Sequence, residues 1–115
     1  MKRSPSALST ELLRKQGCIV DTVERWIPVV NIRRDLFGIA DLFAVHTGGV
    51  ILVQATSLAN VAARRTKIAA AKHTAELLRA GIAVEVHGWD KSCKRCSVST
   101  LFMKDGVATW ETKDA

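Results

Sequence analysis

The sequence lacks any long apolar run and contains only three cysteines. No stretch approaches the roughly 20 apolar residues that a membrane-spanning helix needs, so we expect no membrane segment. The basic N-terminal residues precede no apolar stretch, so we expect no signal peptide and a cytoplasmic location. An odd number of cysteines excludes a fully paired disulfide framework and fits a reducing compartment. Without repeats, low-complexity segments or linkers, residues 1–115 are predicted to form a single domain.

The composition is that of a soluble globular protein with a basic balance. Hydrophobic residues make up 48% and charged residues 24% of the chain. Lys and Arg number 17 against 11 Asp and Glu, which gives a net charge of +6. Such an excess of basic residues favours a polyanionic partner. When Lys and Arg neutralise the phosphates of a nucleic acid, counterions are released, which supplies affinity regardless of the nucleotide sequence. Basic proteins without nucleic-acid partners are also common, so charge alone does not decide the partner.

The first third of the chain predicts a helix, a strand and a loop. Residues 4–17 form the helix, because Ser4 can cap its start and Gly17 suits a left-handed stop. Residues 18–23 are rich in Ile and Val and predict a strand. Residues 24–36 contain a proline and a charged triplet, which predicts a strand end followed by a loop.

The remainder predicts a mixed α/β domain. The apolar runs 37–45 and 50–55, joined by a Gly-Gly turn, are typical of a hairpin buried on both faces. A long helix starting at Ser57 or Asn60 is expected to run to Ala80. The last predicted elements are a strand over 82–87 and a hairpin over 98–103 and 107–111. The predicted order is an αβββαβ core with an appended C-terminal β-hairpin.

Asp41 lies inside an apolar run, where an unpaired carboxylate is costly to bury. One interpretation is a strand-end residue that accepts backbone hydrogen bonds. Alternatively, Asp41 converges with Gln54 of the next predicted strand, and Glu11 approaches them from the first helix. Together with the backbone carbonyl of Ala55, these oxygens would suit Mg²⁺ or Mn²⁺, the ions that activate water for phosphodiester hydrolysis.

A Glu in the first helix, an Asp in the second strand and a polar-x-polar triplet in the third resemble the PD-(D/E)XK nuclease superfamily. The resemblance covers roughly residues 5–88 and is closest to small Holliday-junction-resolvase-like and phage-encoded nuclease-like proteins. It implies a restriction-endonuclease-like fold with a mixed sheet and a metal-dependent DNA endonuclease, which could act on branched DNA. Such proteins often act as homodimers, and the C-terminal hairpin residues Leu101, Phe102 and Trp110 are a candidate surface.

Position by position, the resemblance assigns catalytic roles to residues that partly depart from the family pattern. Glu11 matches the helix glutamate, and Asp41 matches the aspartate that binds metal. Gln54 stands where the family usually has Asp or Glu, and its side-chain oxygen can still bind metal. Thr56 stands where the family has a catalytic lysine, which a threonine hydroxyl replaces poorly. Lys67 is a candidate to supply this lysine from the following helix.

Arg64 on the same helix is a second candidate for that role. Three functions therefore stay open. They are a working nuclease, a degenerate nuclease fold that binds nucleic acid or protein, and a structural or regulatory phage protein. Basic residues near the proposed site are expected to contact backbone phosphates rather than simply to be solvated. They are Arg33, Arg34, Arg64, Arg65, Lys67 and Lys72.

Other polar and aromatic residues are interpreted as structural. Cys93 and Cys96 form a single CxxC, and even with His87 they lack a fourth zinc ligand, so they are taken as ordinary thiols. The three tryptophans are expected to cover the edges of the core. Asp35 could be a further acidic group near the metal, but it is assigned to a loop and left out of the site.

Overall fold

The computed structural model describes residues 3–115; Met1 and Lys2 of the predicted 1–115 domain lie outside this range. Within residues 3–115, three α-helices and eight strands follow one another. The helices are α1 (Pro5–Lys15), α2 (Val61–Ala70) and α3 (Thr74–Arg79), with a 3₁₀ turn, Leu58–Asn60, before α2. The strands are β1 (Ile19–Thr22), β2 (Arg25–Ile27), β3 (Ile32–Arg34), β4 (Leu42–His46), β5 (Gly49–Ser57), β6 (Ala83–Trp89), β7 (Cys96–Lys104) and β8 (Val107–Asp114). No helix in the described range is long and apolar enough to cross a membrane.

Six of the strands form one mixed sheet in the order β1-β4-β5-β6-β7-β8. Only β5 and β6 are parallel, and α2 and α3 make the crossover between them. All other neighbours in this sheet are antiparallel. The α/β class with a mixed sheet is therefore confirmed, and the C-terminal hairpin extends the main sheet through β7.

Both faces of the sheet are covered by helices, which explains why its central strands are almost continuously apolar. On one face α1 packs Leu13 against Leu42 and Val53. On the other face α2 and α3 contribute Ile68 and Leu78 to the larger core cluster.

Helix α1 begins as the sequence predicts. The side chain of Ser4 accepts a hydrogen bond from the Ala7 amide at 3.1 Å, and Pro5 occupies the first turn. The helix is fixed to β6 by a buried polar network centred on Ser9. Its hydroxyl lies 2.8 Å from His87 Nδ1 and accepts a hydrogen bond from Trp89 Nε1 at 2.9 Å. The orientation of α1 on the sheet is therefore set by hydrogen bonds as well as by apolar packing.

The predicted strand over 37–45 is wrong in its first half, because pairing with β5 starts only at Leu42. Residues 36–40 instead form a tight turn closed by an isolated bridge between Leu36 and Ala40. Phe37 and Gly38 both have positive φ, at 55° and 73°. The turn buries Ile39 and Ala40 as a strand would, so the apolar pattern alone could not distinguish the two.

The predicted long helix is broken between α2 and α3. Ala71 is extended at the end of α2, with ψ of 145°. The hydroxyl of Thr74 donates to the Ile68 carbonyl at 2.7 Å, and the same carbonyl accepts a hydrogen bond from the Ala71 amide at 3.1 Å. Neither glycine nor proline marks this break in the sequence, which is why periodicity predicted a continuous helix.

Residues 24–36 contain a second sheet in place of the predicted strand end and loop. Strands β2 and β3 pair as a small antiparallel hairpin, with Ile27 opposite Ile32. Its apolar side chains face solvent: Val29 is 93% exposed and Trp26 51%. Trp26 therefore does not cover the core as predicted, whereas Trp89 does.

Candidate functional site

Asp41 lies at the point where β5 continues past the start of β4. Its backbone N–H donates to the Val53 carbonyl at 2.9 Å, next to the first strand pair, Leu42 with Val53. Beyond that pair the Ala55 amide faces the β4 side without a strand partner, and Asp41 Oδ1 accepts its hydrogen bond at 3.2 Å. The interpretation of Asp41 as a strand-end acceptor of backbone hydrogen bonds is thus borne out, and it is compatible with a metal-binding role.

The carboxylate of Asp41 is buried and forms no ion pair with a basic residue of the described range 3–115. Asp41 is 4% exposed, and the hydroxyl of Ser6 in α1 donates a hydrogen bond to its Oδ2 at 3.1 Å. Burial raises the pKa of Asp41 to about 6, and the nearby carboxylates of Asp35 and Glu24 also raise it. Hydrogen bonds from Ala55 and Ser6 act against this shift.

Gln54 is also buried and reaches the same place from β5. Its amide is best satisfied with Nε2 donating to Asp35 Oδ2 at 3.1 Å and to the Ile39 carbonyl at 3.2 Å. In the opposite orientation Nε2 lies 3.4 Å from Asp41 Oδ2, so the better orientation turns Oε1 toward that carboxylate. In this orientation Oε1 could accept a hydrogen bond from the protonated form of Asp41, or the two oxygens could share a cation.

Asp35 belongs to this constellation, contrary to its assignment as a loop residue outside the site. The turn at Phe37 and Gly38 folds the chain back, so Asp35 contacts the Gln54 amide and acts electrostatically on Asp41. The sequence carried one signal for this: a glycine lies between two aspartates six residues apart. That spacing is compatible with a turn that returns the first aspartate to the second.

The structure does not bring Glu11 into hydrogen-bond contact with Asp41. Its carboxylate pairs with Arg3 and, at 3.3 Å, with Lys15, and these partners lower its pKa. The α1 residue that contacts Asp41 is Ser6, five positions earlier. Because five residues advance a helix by about 140° past a full turn, Ser6 and Glu11 point in different directions.

The polar-x-polar triplet, residues 54–56, lies in a strand beside Asp41 as the sequence predicted. Gln54 and Thr56 share a face of the sheet, and both are buried. The carbonyl of Ala55 lies on the same side of the strand as its N–H, which is the side of Asp41. Lys67 has no contact with this group among the described residues and lines a shallow depression with Arg64 instead.

The predicted basic residues lie on β3, on α2 and at the break between α2 and α3. Arg33 is paired with Glu24 at 3.0 Å, and Arg34 beside it is exposed. Arg64 lies in the first turn of α2, shortly after β5 ends. Arg65 faces away from the site, because its guanidinium stacks over Trp110 at 4.7 Å. Lys72 is exposed at the break between α2 and α3.

The cysteines and His87 form no metal site. Cys18, Cys93 and Cys96 are free thiols, and burial raises the pKa of Cys96 to about 12. His87 is held between Ser9 and Glu85 in the buried network. Across residues 3–115 no group of three or more His, Cys, Asp or Glu residues could hold a metal ion. Any site at Asp41 would therefore be completed by amide and carbonyl oxygens.

The predicted dimer surface on the C-terminal hairpin is partly wrong. Leu101 is 2% exposed and belongs to the core, so it cannot contact a partner. Phe102 and Trp110 are partly exposed, and Trp110 packs against that core.

Comparison of the chain with protein-family models, with curated proteins and with solved structures found no match.

Proposed function

We propose that this chain is an Mg²⁺- or Mn²⁺-dependent DNA endonuclease of the PD-(D/E)XK type, with a restriction-endonuclease-like core and a modified active site. The observation that carries the proposal is the buried Asp41 carboxylate, which pairs with no basic residue in the part of the chain that the structure describes. The carboxylate of Asp35 and the amide of Gln54 lie beside it. A divalent cation would relieve the repulsion among these oxygens and restore the charged form of Asp41.

The donor set fits a hard cation better than a soft one. Asp41, Gln54, the Ala55 carbonyl and Asp35 offer only oxygen atoms, which Mg²⁺ and Mn²⁺ prefer. Such an ion polarises a phosphate and lowers the pKa of a bound water.

The chain itself orients these donors before any substrate arrives. Ser6 and the Ala55 amide hold the two oxygens of Asp41, and Asp35 and Ile39 hold the Gln54 amide. Donors fixed in this way need little reorganisation when an ion binds.

A DNA substrate is supported by the charges around this end of the sheet. The net charge of the chain is +6, and the exposed Arg34 directly precedes Asp35. Arg64 lies in the first turn of α2, which follows the end of β5 along the chain. Positive side chains on the segments that flank an acidic site in sequence suit a strand whose backbone passes over it. Branched DNA, a homodimer and a cytoplasmic location are parts of the same proposal.

Cleavage assays test the proposal. Fluorescent linear, single-stranded and four-way-junction DNA would be incubated with Mn²⁺ or Mg²⁺, with EDTA as the metal-free control. Asp41→Asn keeps the size of the side chain and should abolish cutting. Asp105→Asn, in the exposed turn between β7 and β8, makes the same charge change far from the site and should not. Cutting that persists in Asp41→Asn would disprove the assignment.

A second function is favoured by Thr56. This residue is 6% exposed and occupies the position of the family's lysine, so the β5 triplet supplies no cation to the reacting phosphate. The alternative is a nuclease fold that binds nucleic acid or another protein without cutting. Salt-sensitive retention of DNA without cleavage would favour the nucleic-acid form of this alternative. In that case the double variant Gln54→Glu, Thr56→Lys should gain metal-dependent cleavage.

A further inference from the structure

Phe37 has a strained backbone and an exposed ring. Its φ is 55°, a conformation that bulky side chains rarely adopt, and 48% of the residue is accessible to solvent. A left-handed residue of this kind costs free energy that glycine would not cost. Burial of the ring would offset that cost only in part, because half of the residue remains in water.

The residues around Phe37 fix it in this conformation. The Gly38 amide donates to the Asp35 carbonyl at 3.0 Å, and the Ile39 amide donates to the Leu36 carbonyl at 3.0 Å. Leu36 packs against the core in which Ile39 is fully buried. The backbone is thus held on both sides of Phe37 while its ring is directed outward. Strain that the surroundings impose at one residue is typical of functional sites.

The ring is also braced from the side. The centroid of the His73 ring lies 5.8 Å from that of Phe37, and the two planes meet at 69°. His73 is available there because the helix breaks between α2 and α3, and the exposed Lys72 precedes it. A T-shaped neighbour of this kind restricts the ring, and 48% of the residue still remains accessible.

We propose that Phe37 is a stacking residue for a nucleobase of the bound strand, which rests on the proposed function. The residue lies two positions after Asp35 and four before Asp41, so a base on its ring would be close to a phosphate at the acidic site. Cationic side chains at Arg34 and Lys72 suit the flanking phosphates. An apolar protein partner would gain nothing from these charges, so the surroundings favour a nucleotide.

This placement also limits the class of substrate. The bases of an intact duplex are stacked on both faces, so they cannot also stack on a protein ring. The substrate must therefore present an unstacked base beside the phosphate. Single strands, flaps and branch points present one, whereas a blunt duplex does not.

Replacing Phe37 by glycine separates a stacking role from a structural one. Phe37→Gly removes the ring and the backbone strain together, so the variant should melt at a higher temperature than the parent. Its affinity for a single-stranded oligonucleotide should fall roughly five-fold or more, because stacking on an aromatic ring is worth about 1 kcal/mol or more per base. Its affinity for a blunt duplex of the same length should change less than about two-fold, since a duplex base does not stack.

Two further variants complete the test. Phe37→Trp keeps a stacking ring and should retain the preference for single strands. Asp105→Gly, at another exposed position with positive φ of 51°, should leave that preference unchanged. Affinities would be measured by fluorescence anisotropy in EDTA, so that no strand is cut during binding.

Two results would overturn the stacking role. One is single-strand binding by Phe37→Gly as tight as that of the parent; the other is an equal loss of affinity for both DNA forms in a less stable protein. Cleavage by the parent with Mg²⁺ or Mn²⁺ is scored separately. A parent that cuts DNA while Phe37→Gly keeps full single-strand affinity would refute the stacking role alone. A parent that neither binds nor cuts DNA would refute the proposed function as well.

Discussion

Asp41 takes the place of a missing strand partner for Ala55. Its Oδ1 accepts the Ala55 N–H at 3.2 Å, two residues beyond Val53, where the pairing of β5 with β4 ends. The sheet thereby satisfies an amide with a carboxylate, which then lies buried at the edge of the paired region. This arrangement is stable when the carboxyl group is neutral and costly when it is charged.

The stability of the protein should therefore depend on pH through Asp41. Its pKa is about 6 in the folded protein, above the ordinary value of 3.8, so its contribution is fully present below about pH 4. That contribution is lost as the pH rises through 6. Asp41→Asn should gain stability relative to the parent between pH 4 and pH 7.5, by a difference on the order of 3 kcal/mol.

Urea denaturation in EDTA at the two pH values measures this difference. Because both proteins contain the same other titrating groups, those contributions cancel in the comparison. Asp21→Asn, on the exposed surface of β1, serves as the control and should show little change. A constant stability difference between Asp41→Asn and the parent would contradict the raised pKa.

Divalent metal should stabilise the parent more at pH 7.5 than at pH 5. An ion binds the ionised carboxylate, so protons compete with it below the pKa of about 6. At 10 mM Mg²⁺ we expect the melting temperature to rise by a few degrees at pH 7.5, which corresponds to about 1 kcal/mol for a millimolar dissociation constant. Asp35→Asn should reduce this rise, and Asp105→Asn should not. An equal rise in Asp35→Asn would exclude Asp35 from the metal site.

Ser9→Ala should destabilise the protein through the network that fixes α1. The change leaves the Trp89 indole N–H and one ring nitrogen of His87 buried without their partner. Unsatisfied buried groups cost about 1–3 kcal/mol each, so we expect the two to lower the unfolding free energy by about 2–6 kcal/mol. Ser92→Ala, at an exposed serine in the turn before β7, should cost less than about 1 kcal/mol. Similar losses in the two variants would show that the network contributes little.

Arg34→Ala should weaken DNA binding in proportion to the loss of one phosphate contact. The slope of log affinity against log salt should become shallower by about 1. Lys104→Ala removes an equal charge at the far end of β7 and should leave the slope unchanged. Anisotropy titrations at several salt concentrations measure both slopes. Identical slopes for Arg34→Ala and the parent would exclude Arg34 from the DNA-binding surface.

Much of the fold could be predicted because burial imposed a clear pattern on the sequence. Strands β4 and β5 are largely apolar on both faces, and the cap at Ser4 marked the start of α1. The break after α2 could not be predicted. At this break Thr74 forms a hydrogen bond with the Ile68 carbonyl, six residues earlier. The sequence contains no proline or glycine there that would predict the end of a helix.

The candidate site was predicted only in part, because the sequence pattern marked some of its residues and not others. Asp41 and Gln54 were recognisable because a polar group in an apolar strand needs a partner. Asp35 was not recognisable, because its position depends on the left-handed turn at Phe37. A bulky residue rarely adopts that conformation, so the sequence did not predict the turn. Glu11 was misplaced because its four-residue spacing to Lys15 and its pairing with Arg3 hold it at the surface.

The hairpin of β2 and β3 has a consequence for how the molecule opens. It is a separate two-stranded sheet with Trp26, Val29 and Ile32 exposed, so little apolar surface is buried when it forms. An isolated hairpin of this kind is marginal in water. Its amides should therefore exchange with solvent deuterium by local opening, well before those of β5 and β6. The chain between β1 and β4 would then sample many conformations while the six-stranded sheet stays closed, and a bound strand would be expected to slow that exchange.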